Sequence, residues 1–182
     1  MRVKIIKETD YSCSECQEGA KYRKLSTSPF AEIWESVQIG DKSLHATTCF
    51  EPDDTLVRFF AKEHCRSPNR YSIQLDESNH IILDPEYLQY INHSCQPNAF
   101  FDLRKMSLVC IRPISIDDEI VFFYPSTEWS MAQSFQCICG ASNCLGYIRG
   151  ASYLSPDILK QYRLSDFIWD HINVSKRMYR AA

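Results

Sequence analysis

The chain has 182 residues, 45% hydrophobic and 24% charged, with a formal net charge of −3. That length suits one domain with a sizeable core better than two, and the slight negative charge argues against a broad nucleic-acid-binding face. No run approaches the ~20 apolar residues of a membrane-spanning helix, so neither direct nucleic-acid binding nor membrane insertion is expected.

At the N-terminus, Met1-Arg2-Val3-Lys4-Ile5-Ile6-Lys7 is too short and too charged for the apolar region of a secretory signal. Nine cysteines, an odd number, then point to reduced thiols in an intracellular compartment, cytoplasmic or nuclear, with some of them on metal. Cys13 and Cys16 form a C-x-x-C without the strand–helix pattern of a redox site. Alternating apolar residues predict strands over 32–37, 43–47 and 55–60, then a hairpin of 71–75 and 80–83 turning at Asp76-Glu77-Ser78-Asn79. Further strands are expected over 107–111 and 119–124. Helical signal is confined to the tail, where Ser155-Pro156-Asp157 reads as an N-cap followed by proline in the first turn. The apolar residues after it suggest two helices broken near Leu164-Ser165-Asp166. The expected class is therefore mainly β with C-terminal helices.

Chemistry concentrates in two segments. Asn92-His93-Ser94-Cys95-Gln96-Pro97-Asn98 ends a strand-like region, and Cys137-Ile138-Cys139-Gly140-Ala141-Ser142-Asn143-Cys144 follows about forty residues later. Cys95, Cys137, Cys139 and Cys144 together supply four sulfur ligands, the number a closed structural zinc site requires. Gly140 suits the sharp turn between the second and third thiols of the loop. Cys49, Cys65 and Cys110 stand alone and read as unligated thiols.

In order and in intervening residues, these segments match the NHSC-x-PN signature and following cysteine cluster of SET-domain methyltransferases, which the chain resembles from about Glu35 to about Gly146. The resemblance implies short sheets wrapped around a threaded segment, and one zinc that pins the C-terminal flank over the active site. It implies four regions: an N-terminal extension over 1–30, the SET domain over 31–130, a zinc loop over 131–150 and a helical tail over 151–182. In the family the strand before the zinc loop reads Glu-Glu-Leu-Thr-Phe-Asp-Tyr, and here it reads Asp118-Glu119-Ile120-Val121-Phe122-Phe123-Tyr124. Tyr124 thus falls on the catalytic tyrosine. Phe122 falls on the position that influences how many methyls are added, and with Tyr90 it is assigned to the substrate channel.

Asn92 and His93 match the residues that contact S-adenosylmethionine. The family's Gly-x-Gly is replaced by Asp41-Lys42-Ser43, so Ser43 and Leu44 are the expected donor contacts and His45 stands where an aromatic is usual. An aromatic from the flank often covers the donor's adenine, a role open to either Trp129 or Phe135. Glycine is also replaced by Asp53 and Asp117 in two tight turns, which aspartate tolerates by entering the left-handed region.

These matches imply an S-adenosylmethionine-dependent N-methyltransferase with one structural zinc. Its expected acceptor is a protein lysine, histone or non-histone, and a small-molecule amine fits the sequence as well. The missing glycine pair leaves a third reading, a zinc-stabilised interaction module without donor binding.

Overall fold

The computed structural model describes residues 21–180, so Cys13 and Cys16 lie outside the described residues. Strands β1 (Tyr22–Thr27), β2 (Ala31–Ser36) and β3 (Lys42–Ala46) form an antiparallel meander. In β2 Ala31 and Ile33 are buried, while Glu32 and Glu35 pair across to β1 with Lys24 at 2.6 Å and Arg23 at 2.5 Å. β1 falls within the segment expected as an N-terminal extension and is exposed and polar along most of its length, so no apolar alternation announces it.

The strand expected over 55–60 is two strands. β4 (Thr55–Arg58) and β5 (Phe60–Cys65) are separated by Phe59 alone and join different sheets. Phe59 is fully buried at this corner, its ring 5.5 Å from that of Phe101, and its N–H donates to the Met106 carbonyl. The expected hairpin is present as β6 (Ser72–Gln74) and β7 (His80–Asp84), and β7 lies between β5 and β6. A 3₁₀ turn at Glu86–Tyr90 leads to β8 (Asn92–His93). Then β9 (Ala99–Asp102) and β10 (Ser107–Cys110) complete a sheet of order β4-β10-β9.

β11 (Val121–Phe122) pairs in parallel with β8 and brings the NHSC segment beside the Tyr124 segment. This is the threaded arrangement expected of a SET fold. The strand predicted to reach residue 124 stops at Phe122, because Pro125 has no N–H for a ladder and Tyr124–Ser126 turns as a 3₁₀ helix. β12 (Phe135–Gln136) and β13 (Tyr147–Ile148) flank the cysteine loop. The tail holds α1 (Pro156–Leu159), capped by Ser155 Oγ on the Ile158 N–H, and α2 (Asp166–Arg180). The cap and the break are where the sequence puts them.

One core cluster, including Leu44, Ile81, Leu83, Phe101, Leu108 and Ile120, fills the space between the sheets. A second, of Phe123, Leu159, Ile168 and Ile172, fastens the tail. The Tyr162 ring stacks on Phe123 at 3.7 Å. Asp53 and Asp117 do adopt positive φ, +74° and +68°. The two turns share a construction: the next residue, Asp54 or Asp118, accepts at 2.8 Å from the N–H of the residue three before it, Glu51 or Ser115.

Asn98 holds the threaded segment in place. Its Nδ2 donates to the Glu119 carbonyl at 2.9 Å, its Oδ1 accepts from Val121 N–H at 2.9 Å, and its own N–H donates to the Val121 carbonyl. Asn98→Ala would leave a donor and an acceptor unpaired, each costing about 1–3 kcal/mol. Denaturant unfolding should show a loss of about 2–4 kcal/mol with the slope unchanged.

Candidate active site and thiol cluster

Tyr124 takes its bearing from the residues before and within β8. Its hydroxyl donates to the Ile91 carbonyl at 3.1 Å, and its backbone N–H donates to His93 Nδ1 at 3.2 Å. His93 is buried. With Nδ1 accepting, the assigned tautomer carries its proton on Nε2, which lies 3.4 Å from Cys95 Sγ. A single imidazole therefore links the Tyr124 backbone to the thiol cluster. The ring of Phe122 lies 4.7 Å from that of Tyr124 and 4.8 Å from Phe101, giving the tyrosine an aromatic wall.

Asn92 donates both amide hydrogens, to the Lys42 carbonyl and to Glu119 Oε1, each at 2.9 Å. Its Oδ1 makes no hydrogen bond among the described residues. Lys42 reaches across to Tyr90, with Nζ 4.7 Å above the ring and 3.5 Å from the hydroxyl. Ser43 is buried, its Oγ 3.0 Å from His45 Nε2, while His45 Nδ1 faces the Asp117 carbonyl at 3.0 Å. His45 thus ties β3 to the turn before β11. Leu44 is wholly in the core, and its carbonyl accepts from Ile120 N–H.

Of the two flank aromatics, Phe135 stands at the site, 5.6 Å from the His93 ring and 5.9 Å from that of Tyr124. Trp129 packs in the second cluster, 4.7 Å from His171, and its backbone N–H donates to Gln74 Oε1. Its backbone is also pressed by Gly150, whose φ is +127° and where any Cβ would meet the Trp129 carbonyl at 2.6 Å.

Sγ of Cys95, Cys137, Cys139 and Cys144 all lie within 4.8 Å of one another, and no disulfide joins them. A tetrahedral zinc–thiolate site has sulfur–sulfur edges of about 3.8 Å, so small side-chain shifts would close the cluster on a metal ion. Gly140, at φ +72°, makes the expected turn. The Cys95 carbonyl accepts from Asn143 Nδ2 and Tyr162 hydroxyl, both at 3.0 Å, which fixes this cysteine from the loop and from the tail. Burial pushes the Cys95 thiol well above its ordinary range, and the three neighbouring sulfurs add to the effect. Burial likewise raises Cys137 to about 11. Cys139 sits lower, at about 7: burial opposes ionisation there, but the Ala141 N–H and the neighbouring thiols outweigh it. Four converging thiols that resist joint ionisation are a donor set suited to a divalent cation, whose charge removes that resistance.

Residue types alone did not single out Glu119, the Ile91 carbonyl or the Asn98 carboxamide as parts of this arrangement. Asn98 and Glu119 lie inside the motif segments, whereas a backbone carbonyl leaves no mark in a sequence.

The SET-domain family model matches residues 2–125, and the chain belongs to that family. It is 45% identical over 85 residues to methyltransferase flvH of Aspergillus flavus, covering 46% of this chain and 48% of that protein. It is 34% identical over 176 residues to an H3 lysine-36 specific histone-lysine N-methyltransferase of Gibberella zeae, covering 80% of this chain and 19% of that protein. A Plasmodium falciparum structure described as a putative histone methyltransferase aligns with TM-score 0.39 and 18% identity, over 54% of this chain and 95% of that one. The chain spans about half or less of the length of these curated relatives. No helix among the described residues is long and apolar enough to cross a membrane.

Proposed function

We propose that the protein is an S-adenosylmethionine-dependent N-methyltransferase acting on a protein lysine, with one structural zinc on Cys95, Cys137, Cys139 and Cys144. The observation that carries this reading is the Tyr124 hydroxyl, held 3.1 Å from the Ile91 carbonyl beside the Phe122 ring. The donor corner fits the cofactor's chemistry. Asn92 Oδ1 and the Glu119 carboxylate are acceptors for an ammonium, and Phe135 offers a ring face for an adenine. When bound, S-adenosylmethionine supplies the electrophilic methyl group.

The protein's own task is to present a neutral amine. A lysine ammonium has a pKa of ~10.4 in water, and an apolar aromatic channel lowers it by disfavouring the charged form. Tyr90, Phe122 and Tyr124 supply such walls, whose π faces still attract a methylated ammonium. The Tyr124 oxygen positions the nitrogen and favours the charge that develops on the transferring methyl. Turnover should accordingly rise from neutral to alkaline pH.

Phe122 has no hydroxyl to hold the amine or a water, so a methylated amine has room to rotate and react again. The native protein is expected to add two or three methyls, and Phe122→Tyr to stop mainly at one. A new hydrogen bond of about 1 kcal/mol shifts the product ratio several-fold, which mass spectrometry of the product would read. A native protein that stops at one methyl under excess donor contradicts this role for Phe122.

The relatives named as H3 lysine-36 specific support a histone acceptor. The flvH relative is named only as a methyltransferase, which supports keeping a small-molecule amine as a second reading. The rival without catalysis has its own support, since Asp41-Lys42-Ser43 lacks the glycine pair and the Ser43 hydroxyl already engages His45. Calorimetric titration with S-adenosylmethionine decides between enzyme and module. Labelled methyl transfer to core histones, set against small amines, decides the acceptor. Unpaired thiols at all seven described cysteines suit a reducing compartment, cytoplasmic or nuclear.

A further inference from the structure

Glu128 is a carboxylic acid at a place where the fold needs only an acceptor. It is 7% exposed, and no cation hydrogen-bonds its carboxylate among the described residues. Oε1 accepts from the Gln74 backbone N–H of β6 at 2.9 Å and from Thr127 Oγ1 at 3.3 Å. A glutamine would accept the same two bonds with no charge to desolvate. Burial, only partly offset by these donors, pushes Glu128 up to about 7. An ionisable group that a neutral isostere would replace to the benefit of stability is a candidate for function.

Its position says which function. Tyr124 is attached at two ends to one sheet. Its hydroxyl bonds the Ile91 carbonyl, which β7 delivers through the 3₁₀ turn at Glu86–Tyr90. Its turn is fastened to β6, the neighbour of β7, through Glu128, whose own N–H donates to the Tyr124 carbonyl at 3.1 Å. Gln74 doubles the attachment, since its side chain accepts from Trp129 N–H at 2.9 Å. Any slack between β6 and Glu128 therefore displaces the tyrosine relative to Ile91.

We propose that Glu128 is a positioning residue for methyl transfer, its ionised carboxylate drawing the Tyr124 turn onto β6 and setting the Tyr124 hydroxyl against Ile91. This rests on reading Tyr124 as the catalytic hydroxyl. An anionic oxygen accepts hydrogen bonds at shorter range and more strongly than a neutral one, so the attachment tightens as pH rises through neutrality. The other ionisable groups on the elements packed here are Asp76, His80 and Asp84 of the β6–β7 hairpin, with His80 opposite Gln74, and Glu77 paired with His171 at 3.0 Å. His93 faces the Tyr124 N–H from β8. None of these bonds Glu128.

The linkage has a definite sign. A carboxyl whose folded pKa is raised favours the folded state when protonated, and that contribution is lost as pH rises from ~4.3, its ordinary value, through about 7. Ionisation thus loosens the fold as a whole while tightening the tyrosine, a trade that a purely structural acceptor would not make.

Amide-resolved NMR of the full chain from about pH 5.5 to 8.5, either side of the raised value, tests this in wild type and in Glu128→Gln. In wild type the Gln74 and Tyr124 amides should titrate together with a midpoint at about 7. In Glu128→Gln that shared transition should vanish, and thermal stability above the midpoint should exceed that of wild type. A wild-type Gln74 titration without one at Tyr124, or a flat wild type, overturns the proposal without any variant. So does a Tyr124 transition that survives in Glu128→Gln, which would assign it to His93. The spectra need neither donor nor acceptor. Failure of wild type to methylate would therefore strike the catalytic reading and leave the coupling measured.

Discussion

Replacing Tyr124 by phenylalanine is expected to lower methyl transfer by about 10²- to 10³-fold, the loss typical when one preorganised polar group is removed from a reacting centre. The fold should survive. The ring keeps its edge contacts with His93 and Phe135 and its tilted contact with Phe122. The backbone N–H still donates to His93 Nδ1. The bond to the Ile91 carbonyl is lost, worth about 1 kcal/mol net, so thermal unfolding should move by a few degrees and S-adenosylmethionine affinity should hardly change. Rates measured with saturating donor, alongside circular dichroism and calorimetry, separate these effects. Near-native turnover in Tyr124→Phe would remove this hydroxyl from the mechanism.

Loss of the metal should be the larger structural effect. The purified protein is expected to carry one zinc per chain, and Cys144→Ser to lose it. A structural zinc contributes about 10–16 kcal/mol of apparent binding free energy, comparable with the whole stability of a domain at about 5–15 kcal/mol. The consequences should reach beyond the loop. Cys95 is held by Asn143 and Tyr162 on its carbonyl and by His93 on its sulfur. His93 in turn receives the Tyr124 N–H. A released Cys95 therefore frees the tail and slackens the tyrosine together, so Cys144→Ser should show a broadened, lowered thermal transition and little methyl transfer. Elemental analysis finding no zinc in folded, donor-binding protein would refute the four-thiolate site. A second zinc equivalent would bring in Cys13 and Cys16, outside the described residues.

How much of this could be read before folding differs from residue to residue. The four thiols were legible because C-x-C-x4-C has no packing rationale of its own, and the structure brings them within 4.8 Å. The β6–β7 hairpin and the Ser155 cap were legible because alternation, turn residues and capping are local properties. The positive φ of Asp53 and Asp117 was legible for the same reason. Strand β9 was not: all four of its residues are buried, so it has no alternation to read. Nor was the change of sheet at Phe59, since a run of apolar residues does not say which strand each will pair with.

By itself, then, the sequence determined the mainly β class, the thiol set and the identity of the residues in the NHSC and Tyr124 segments, because these depend on residue type and short spacing. Only the tertiary structure decided that Phe135 and not Trp129 stands against His93, that Tyr124 bonds the Ile91 carbonyl, and that Glu128 grips β6. Each of those depends on a parallel pairing or a sheet contact between segments about thirty to fifty residues apart. Contacts of that range are set by how the whole chain packs, which no local pattern encodes.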